Sequence, residues 1–206
     1  MKSSIRLKEA KKILSSYSPL ILIAEKLKLK FLIKEKNQIT GPAVGLSILI
    51  DKLTKSLPIK SMLDLCCGTG ALTKIALKNK VKLIDCLDLN IKIAKANVKT
   101  KKVNFIRKDV TKLKIEKFYD LIVLDAPLKI LPKIFNKFKE FVENSHLFVV
   151  WHGSTEEIEW NELVREKLRN VAKIVYSFSI YGEEISIATS SEKGMKWLKK
   201  FYKDWK

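Results

Sequence analysis

The sequence predicts an α/β fold: a doubly wound, mostly parallel seven-stranded sheet whose last strand is antiparallel, with a helical extension at the N-terminus. From residue 58 onward, short apolar runs alternate with stretches of helical periodicity, which is typical of a parallel sheet covered by helices on both faces. The last two apolar runs have no helix between them. They meet at Tyr181 and Gly182, so we expect them to form an antiparallel hairpin.

The same patterns give bounds for each element. The predicted strands are 60–66, 81–88, 103–107, 119–125, 145–151, 172–180 and 183–189. The predicted helices between them are 70–79, 90–100, 129–142 and 155–170. The stretch Ser154-Thr155-Glu156-Glu157 has the form of a capping box, which predicts the start of the last of these helices.

Both ends of the chain are rich in lysine. Residues 1–57 are predicted to be a mainly helical extension, and residues 58–206 the main domain. Within the extension, 1–18 is predicted to be a helix, 20–33 fits either a helix or a strand, and a helix follows Gly41-Pro42 to about residue 55. At the C-terminus, Trp197, Phe201 and Trp205 form a helical stripe that favours packing on the sheet over stacking on RNA.

The chain is strongly basic. It carries 41 Lys and Arg against 22 Asp and Glu, a formal net charge of +19, which favours a polyanionic partner such as RNA. Nearly all the basic residues are lysines, however, and a lysine-rich composition is also typical of some high-temperature sources. The charge therefore supports nucleic-acid binding without establishing it.

Cysteine and histidine usage argues against two classes of site. The three cysteines, Cys66, Cys67 and Cys86, are an odd number on predicted buried strands, which indicates a reducing, cytoplasmic compartment rather than a disulfide framework. No C-x-x-C spacing occurs, so no metal is expected. The most apolar early run, residues 20–24, is too short to cross a membrane, so no membrane partner is expected.

The most informative stretch is Met62-Leu63-Asp64-Leu65-Cys66-Cys67-Gly68-Thr69-Gly70, a predicted buried strand that leads into a glycine turn and then a helix. Such a unit directs free backbone N–H groups at a ligand above the end of the strand. An acidic Asp64 before the turn suits a ligand with a positive group. A dinucleotide fingerprint would need Gly or Ala where Thr73 stands, and a P-loop would need a Gly-Lys-Ser/Thr ending.

This stretch resembles motif I of the class I methyltransferases that use S-adenosyl-L-methionine (SAM), a Rossmann-like family. Asp64, Gly68 and Gly70 match the motif, and Cys66 stands where its first glycine is usual. The resemblance covers about residues 58–190 and implies that these four residues bind SAM. One antiparallel strand at the end of a parallel sheet is also a feature of that fold.

Two further carboxylates follow predicted strands in the order that the resemblance requires. Asp88, followed by Leu89, ends the second strand, where members of the family bind the ribose hydroxyls of SAM. Asp109, followed by Val110, follows the third strand, where an acidic residue and the next backbone N–H contact adenine in the family. By itself, an Asp after a strand is more often a turn or a helix cap.

Candidate catalytic residues follow the fourth and fifth strands. Asp125-Ala126-Pro127-Leu128 resembles the family's motif IV, in which the acidic residue accepts from the methyl acceptor and the proline holds the loop. Leu128 replaces the aromatic residue that stacks on a base. His152, at the end of the fifth strand, is either a general base or a histidine that bonds to backbone.

These residues predict a cytoplasmic SAM-dependent methyltransferase whose most favoured acceptor is RNA. A protein or small-molecule acceptor is the second hypothesis. The incomplete motif IV keeps open a third, a SAM-fold binding subunit without transfer activity. An aminopropyltransferase shares the fold, but its glycine loop is usually richer in Gly and acidic residues than Cys-Cys-Gly-Thr-Gly.

Overall fold

The computed structural model describes residues 43–205, which form a seven-stranded sheet between two layers of helices. The predictions for residues 1–42 lie outside these described residues. The strands are β1 Ser61–Leu65, β2 Leu83–Asp88, β3 Val103–Arg107, β4 Tyr119–Leu124, β5 Ser145–Ser154, β6 Ile174–Ile180 and β7 Glu183–Thr189. Their order in the sheet is β3-β2-β1-β4-β5-β7-β6, and β7 is antiparallel to both of its neighbours, as predicted.

Six α-helices flank the sheet in the described part of the chain. They are α1 Val44–Ser56, α2 Ala71–Lys78, α3 Lys92–Asn97, α4 Phe138–Glu143, α5 Ile158–Arg169 and α6 Glu192–Trp205. Two 3₁₀ helices, Val110–Lys112 and Leu131–Lys137, lie in the connections after β3 and β4. Within residues 43–205, no helix is long and apolar enough to span a bilayer.

The sheet has one hydrophobic core on each face, because successive side chains of a strand point to opposite sides. In β1, Met62 belongs to the core beneath α1, α2 and α6, whereas Leu63 and Leu65 belong to the core beneath α4 and α5. Trp197 and Phe201 of α6 are buried in the first core, so the aromatic stripe packs on the sheet as predicted.

Helix α1 is part of the main core. Its apolar face is completely buried in the same core as α2 and α6. Its first turn approaches the β6–β7 hairpin so closely that a Cβ on Gly45 would lie 2.4 Å from the carbonyl oxygen of Ile180. The hairpin turn is formed by Tyr181 and Gly182, both with positive φ, which is the signature of a type I′ turn.

Two predicted helix starts differ in the structure. In the predicted capping box, the backbone N–H of Ser154 donates to Glu157, but Ser154 Oγ accepts from Glu156, so α5 begins only at Ile158. The predicted helix 129–142 begins as the 3₁₀ segment with Pro132 in its first turn and becomes α-helical only at Phe138. Proline has no N–H to donate, and it limits the regular helical bonding around it.

Candidate active site

A cleft of about 480 Å³ lies beyond the carboxyl ends of β1, β2, β4 and β5, where ligands bind in open α/β sheets. Two groups of residues line it. The first, here called the loop half, is Asp64, Cys66, Cys67, Gly68, Thr69, Leu72 and Asp88. The second, called the α1 half, is Ala43, Asp125, Ala126, Pro127, Trp151 and Glu183.

The backbone of the glycine loop has three residues with positive φ: Cys66 at 62°, Gly68 at 49° and Gly70 at 75°. Gly70 precedes α2, and a Cβ there would lie 3.1 Å from Val98 and 3.3 Å from Ala94, so its role is to let α2 and α3 pack closely. Cys66 adopts a conformation that disfavours any side chain with a Cβ. The backbone at Cys66 thus has the form that a glycine adopts more easily.

Asp64 contributes a buried carboxylate to the loop half. Its Oδ2 accepts hydrogen bonds from the backbone N–H (3.0 Å) and the hydroxyl (2.6 Å) of Thr73, at the start of α2. Its Oδ1 and the nearby hydroxyl of Thr69 have no hydrogen-bond partner within the described chain. Burial raises the pKa of Asp64 to about 7, although both bonds from Thr73 oppose this shift. A donor or a cation in the cleft would satisfy Oδ1.

Asp88, at the end of β2, is the second carboxylate of the loop half. Its Oδ2 accepts from the backbone N–H of Gly68 (3.0 Å), and its Oδ1 accepts from the backbone N–H of Asn90 (2.8 Å). These bonds orient the carboxylate and leave each oxygen a lone pair. The neighbouring Leu89 has a side chain that is 64% exposed, and its carbonyl accepts from Arg107.

The two residues predicted to contact adenine, Asp109 and Val110, make contacts within the protein itself. Asp109 caps the short 3₁₀ helix by accepting from the N–H and hydroxyl of Thr111, and the backbone bond lowers its pKa. Val110 is buried in the core beneath α4 and α5. Neither is among the described residues that line the cleft, and their adenine role stays a prediction.

Two carboxylates of the α1 half bind the first turn of α1. Asp125, at the end of β4, accepts from the backbone N–H of Ala43. Glu183 Oε1 accepts from Val44 N–H (2.9 Å), and Oε2 accepts from Gly45 N–H (2.8 Å) and Leu46 N–H (3.4 Å). Burial, then the negative charges of Asp64 and Glu183, raises the pKa of Asp125 to about 7. Sequence reasoning missed Glu183, because only the folded hairpin brings it here.

Strand β5 contributes Trp151, and a β-bulge follows directly. The register with β7 shifts between Trp151 and Gly153, and bulges of this kind reorient side chains near functional sites. Trp151 lines the cleft, and its indole N–H has no partner among the described residues. Pro127 lines the cleft beside Asp125, as expected for a loop that follows β4.

His152, the residue at the bulge, does not face the cleft. Its ring is completely buried, and the described residues that line the cleft do not include it. Burial, together with the charge of Arg165, lowers its pKa to about 3, so the ring is neutral. Its carbonyl accepts from Trp160. This placement does not support His152 as a general base, since a general base must reach the substrate.

The loop half fits a cofactor that combines a positive group with a diol. The unpartnered Oδ1 of Asp64 and hydroxyl of Thr69 suit the positive group, and the oriented carboxylate of Asp88 suits two hydroxyls. SAM has both features. No group of three or more His, Cys, Asp or Glu within residues 43–205 is arranged to hold a metal ion.

A model of the methyltransferase small domain family matches residues 41–175. The chain therefore belongs to the methyltransferase small domain family, and SAM-type cofactor use follows at the level of that family. No curated protein matches the sequence closely enough to count as a relative.

Several solved structures share the fold. A proposed RNA methyltransferase from Pyrococcus horikoshii has a TM-score of 0.59 at 17% identity, with 82% of this chain and 96% of that chain covered. Spermidine synthase from Thermotoga maritima has a TM-score of 0.58 at 14% identity, with 77% of this chain and 64% of that chain covered. The N-methyltransferase NodS from Bradyrhizobium japonicum, in complex with S-adenosyl-L-homocysteine, has a TM-score of 0.52 at 15% identity. The match covers 69% of this chain and 83% of that chain. At these identities the likeness shows the fold alone.

Proposed function

We propose that this protein transfers the methyl group of SAM to RNA, with Asp125 and Pro127 at the acceptor. The observation that carries the SAM site is the buried, unpartnered carboxylate oxygen of Asp64 beside the glycine loop. SAM, when bound, supplies a methyl on a sulfonium that is already electrophilic. The protein then needs to hold the acceptor in line with that methyl and to accept one proton if the acceptor is N–H or O–H.

Asp125 is the residue of this chain best placed to accept that proton. Its carboxylate lines the cleft beside Pro127, and its pKa of about 7 lies near the working pH of a general base. The indole of Trp151 forms an adjacent wall and contributes an unpartnered N–H. Together these groups can orient an acceptor and exclude water from the reaction.

Charge at the same edge of the sheet supports RNA as the acceptor. Exposed lysines occur in the segments that follow the carboxyl ends of β2, β3 and β4. These residues, the lysine rim, are Lys92, Lys108, Lys112, Lys129 and Lys133. Lysines around a cleft attract phosphates and keep a polyanion near the site without reading its sequence. The formal net charge of +19 acts in the same direction.

A small cationic acceptor is a second candidate. Four carboxyl groups line one cleft, those of Asp64, Asp88, Asp125 and Glu183, and a protonated amine would be attracted to them. Salt separates the two cases, because RNA binding falls steeply as salt rises whereas binding of a small amine in a buried cleft is less screened.

The test is calorimetric titration with S-adenosyl-L-homocysteine, followed by tritiated-methyl transfer from SAM to total RNA. We expect wild-type protein to bind the ligand and Asp88→Ala to bind it roughly 100-fold more weakly, since two charge-assisted hydrogen bonds are lost. Asp204→Ala removes an exposed carboxylate from α6 and should bind normally. Asp125→Asn should retain binding but lose roughly 100-fold in transfer rate.

The outcomes are separable. Absence of binding by wild-type protein would refute the methyltransferase site. Binding with transfer to protein or to an amine, and none to RNA, would replace the acceptor and leave the cofactor site in place. Binding without transfer to any of these would support a non-catalytic subunit.

A further inference from the structure

We propose that Glu183 is a positioning residue for methyl transfer: through the first turn of α1, it holds Asp125 at the acceptor side of the cleft. This inference rests on the proposed function, because Asp125 takes its role from methyl transfer. Glu183 belongs to no sequence motif, and in this proposal it affects the reaction only through Asp125.

Two carboxylates satisfy the backbone N–H groups at the start of α1. Four successive backbone N–H groups, those of residues 43–46, donate to just two carboxylates. Glu183 accepts three of these bonds, and Asp125 accepts the fourth. The first N–H groups of a helix have no partners within the helix, so a carboxylate at that end satisfies them and interacts favourably with the helix dipole.

The first turn of α1 also packs tightly against the β6–β7 hairpin. Gly45 lies against Ile180 and Glu183 with no room for a Cβ, so the helix turn and the hairpin are in direct backbone contact. The turn is thus held on one side by β7 and on the other by β4. With the turn held by Glu183, the N–H of Ala43 is directed at Asp125, and one lone pair of that carboxylate is oriented before any acceptor binds.

Glu183 also acts on Asp125 through its charge. The charged and titratable groups that act on Asp125 from the elements around it are Asp64 of β1 and Glu183 of β7, and Cys66 of the glycine loop also interacts with it. Burial raises the pKa of the Cys66 thiol to about 12, so it stays neutral. The Glu183 carboxylate thus both orients Asp125 and favours its protonated form.

The test uses the amide proton of Ala43 as a probe of Asp125, in an NMR titration of the full chain between pH 5 and 9. We expect its shift to titrate with a midpoint near 7, the pKa of Asp125. In Glu183→Gln, which preserves the shape of the side chain, the amplitude of the Ala43 shift should fall roughly twofold, because the turn no longer holds the amide against Asp125. The lost negative charge lowers the midpoint, and the weakened bond from Ala43 opposes part of that change. Glu116→Gln makes the same change of charge at an exposed side chain before β4, at the edge of the sheet opposite the cleft, and should leave the midpoint unchanged.

Two results would overturn the proposal. One is an Ala43 amide that does not titrate in wild-type protein, a measurement that needs no variant to fold. The other is a Glu183→Gln variant in which the Ala43 shift keeps its wild-type amplitude, because the amide would then be held against Asp125 without Glu183, and Glu183 would be only a cap of α1. These results do not depend on turnover, so they are distinguishable from a failure of the proposed function, which the ligand titration reports separately.

Kinetics give the second readout. With an acceptor that is methylated, the acidic limb of the rate–pH profile should move downward in Glu183→Gln by the same amount as the amide midpoint. The dissociation constant of S-adenosyl-L-homocysteine should stay within about twofold of wild type, because Glu183 lies in the α1 half. An unshifted acidic limb would contradict a positioning role for Glu183.

Discussion

The loop half and the α1 half of the cleft are built in opposite ways. The loop half comes from consecutive residues of β1, the glycine loop and α2, plus Asp88 from the adjacent strand β2. The α1 half is assembled from four distant segments: the start of α1, the loop after β4, the end of β5 and the start of β7. Glu183 and Val44, which share a hydrogen bond, are 139 residues apart.

This difference explains why the sequence predicts the cofactor more clearly than it predicts the methyl acceptor. A binding site built from consecutive residues can be encoded in one sequence motif. A site built from distant segments depends instead on the packing of the whole domain. The α1 half should therefore be the part whose chemistry is more sensitive to core and backbone changes. Substitutions at the contact between α1 and the hairpin and in the glycine loop should therefore differ in their effects.

The largest effect is expected for Gly45→Ala. The new Cβ would lie 2.4 Å from the carbonyl oxygen of Ile180, which is backbone and has little freedom to move. We expect a loss of roughly 2 kcal/mol in the free energy of unfolding, a cost typical of overpacking at a tight contact. Urea unfolding measures it. The folded variant should still bind S-adenosyl-L-homocysteine, because the loop half is not in this contact.

The matched control is Gly182→Ala in the hairpin turn. A Cβ there meets nothing within 4 Å, but the φ of +75° is strained for alanine, so we expect a smaller loss of about 1 kcal/mol. If the two variants lost equal stability, backbone conformation rather than the close contact of α1 with the hairpin would explain the result. A parallel loss of ligand affinity in Gly45→Ala would show that the two halves are coupled.

The sequence predicted the fold well, and it placed the residues of the loop half near one another, because both signals are local. Alternating apolar runs gave the strands, and Asp64, Gly68 and Asp88 meet in one cleft as their places at strand ends require. Whether His152 would face the cleft was not readable from the sequence, because a β-bulge, which no short pattern reveals, follows Trp151. Glu183 was missed because a glutamate after a turn carries no signal until α1 and the hairpin are packed together.

A second, smaller effect tests the loop half alone, at Cys66. Its φ of 62° lies in the left-handed region, which costs a residue with a Cβ about 1–2 kcal/mol. We expect Cys66→Gly to raise the free energy of unfolding by about 0.5–1 kcal/mol, because relief of strain exceeds the added entropy of a glycine in the unfolded chain. Thermal or urea unfolding would measure the gain.

Cys66→Ala is the control for Cys66→Gly. It removes the thiol but keeps the Cβ and the strained backbone, so it should not stabilise the protein. If Cys66→Gly proved less stable than wild type, the contacts of the Cys66 side chain in the cleft would outweigh the strain. That result would assign the cysteine a packing role that the glycine of the family motif does not have.

The smallest effect is a release of protons when S-adenosyl-L-homocysteine binds. The pKa of Asp64 is raised to about 7, so the carboxyl is about half protonated at pH 7 before binding. An ammonium group beside Oδ1 favours the ionised form, and the bound state therefore holds fewer protons on Asp64. We expect a release approaching roughly half a proton at pH 7 that declines toward zero by about pH 8.5, where Asp64 is already ionised.

Calorimetry in two buffers of different ionisation enthalpy measures this release directly, because released protons add the heat of buffer protonation to the heat of binding. Asp64→Asn removes the proposed source of the proton and should strongly reduce the difference in heat between the two buffers, whereas Asp125→Asn should retain the release. Equal heats for wild-type protein would show that Asp64 does not change its protonation on binding. The positive group of the ligand would then lie elsewhere, and the loop half would bind its cofactor through Asp88 and the glycine loop without charge pairing at Asp64.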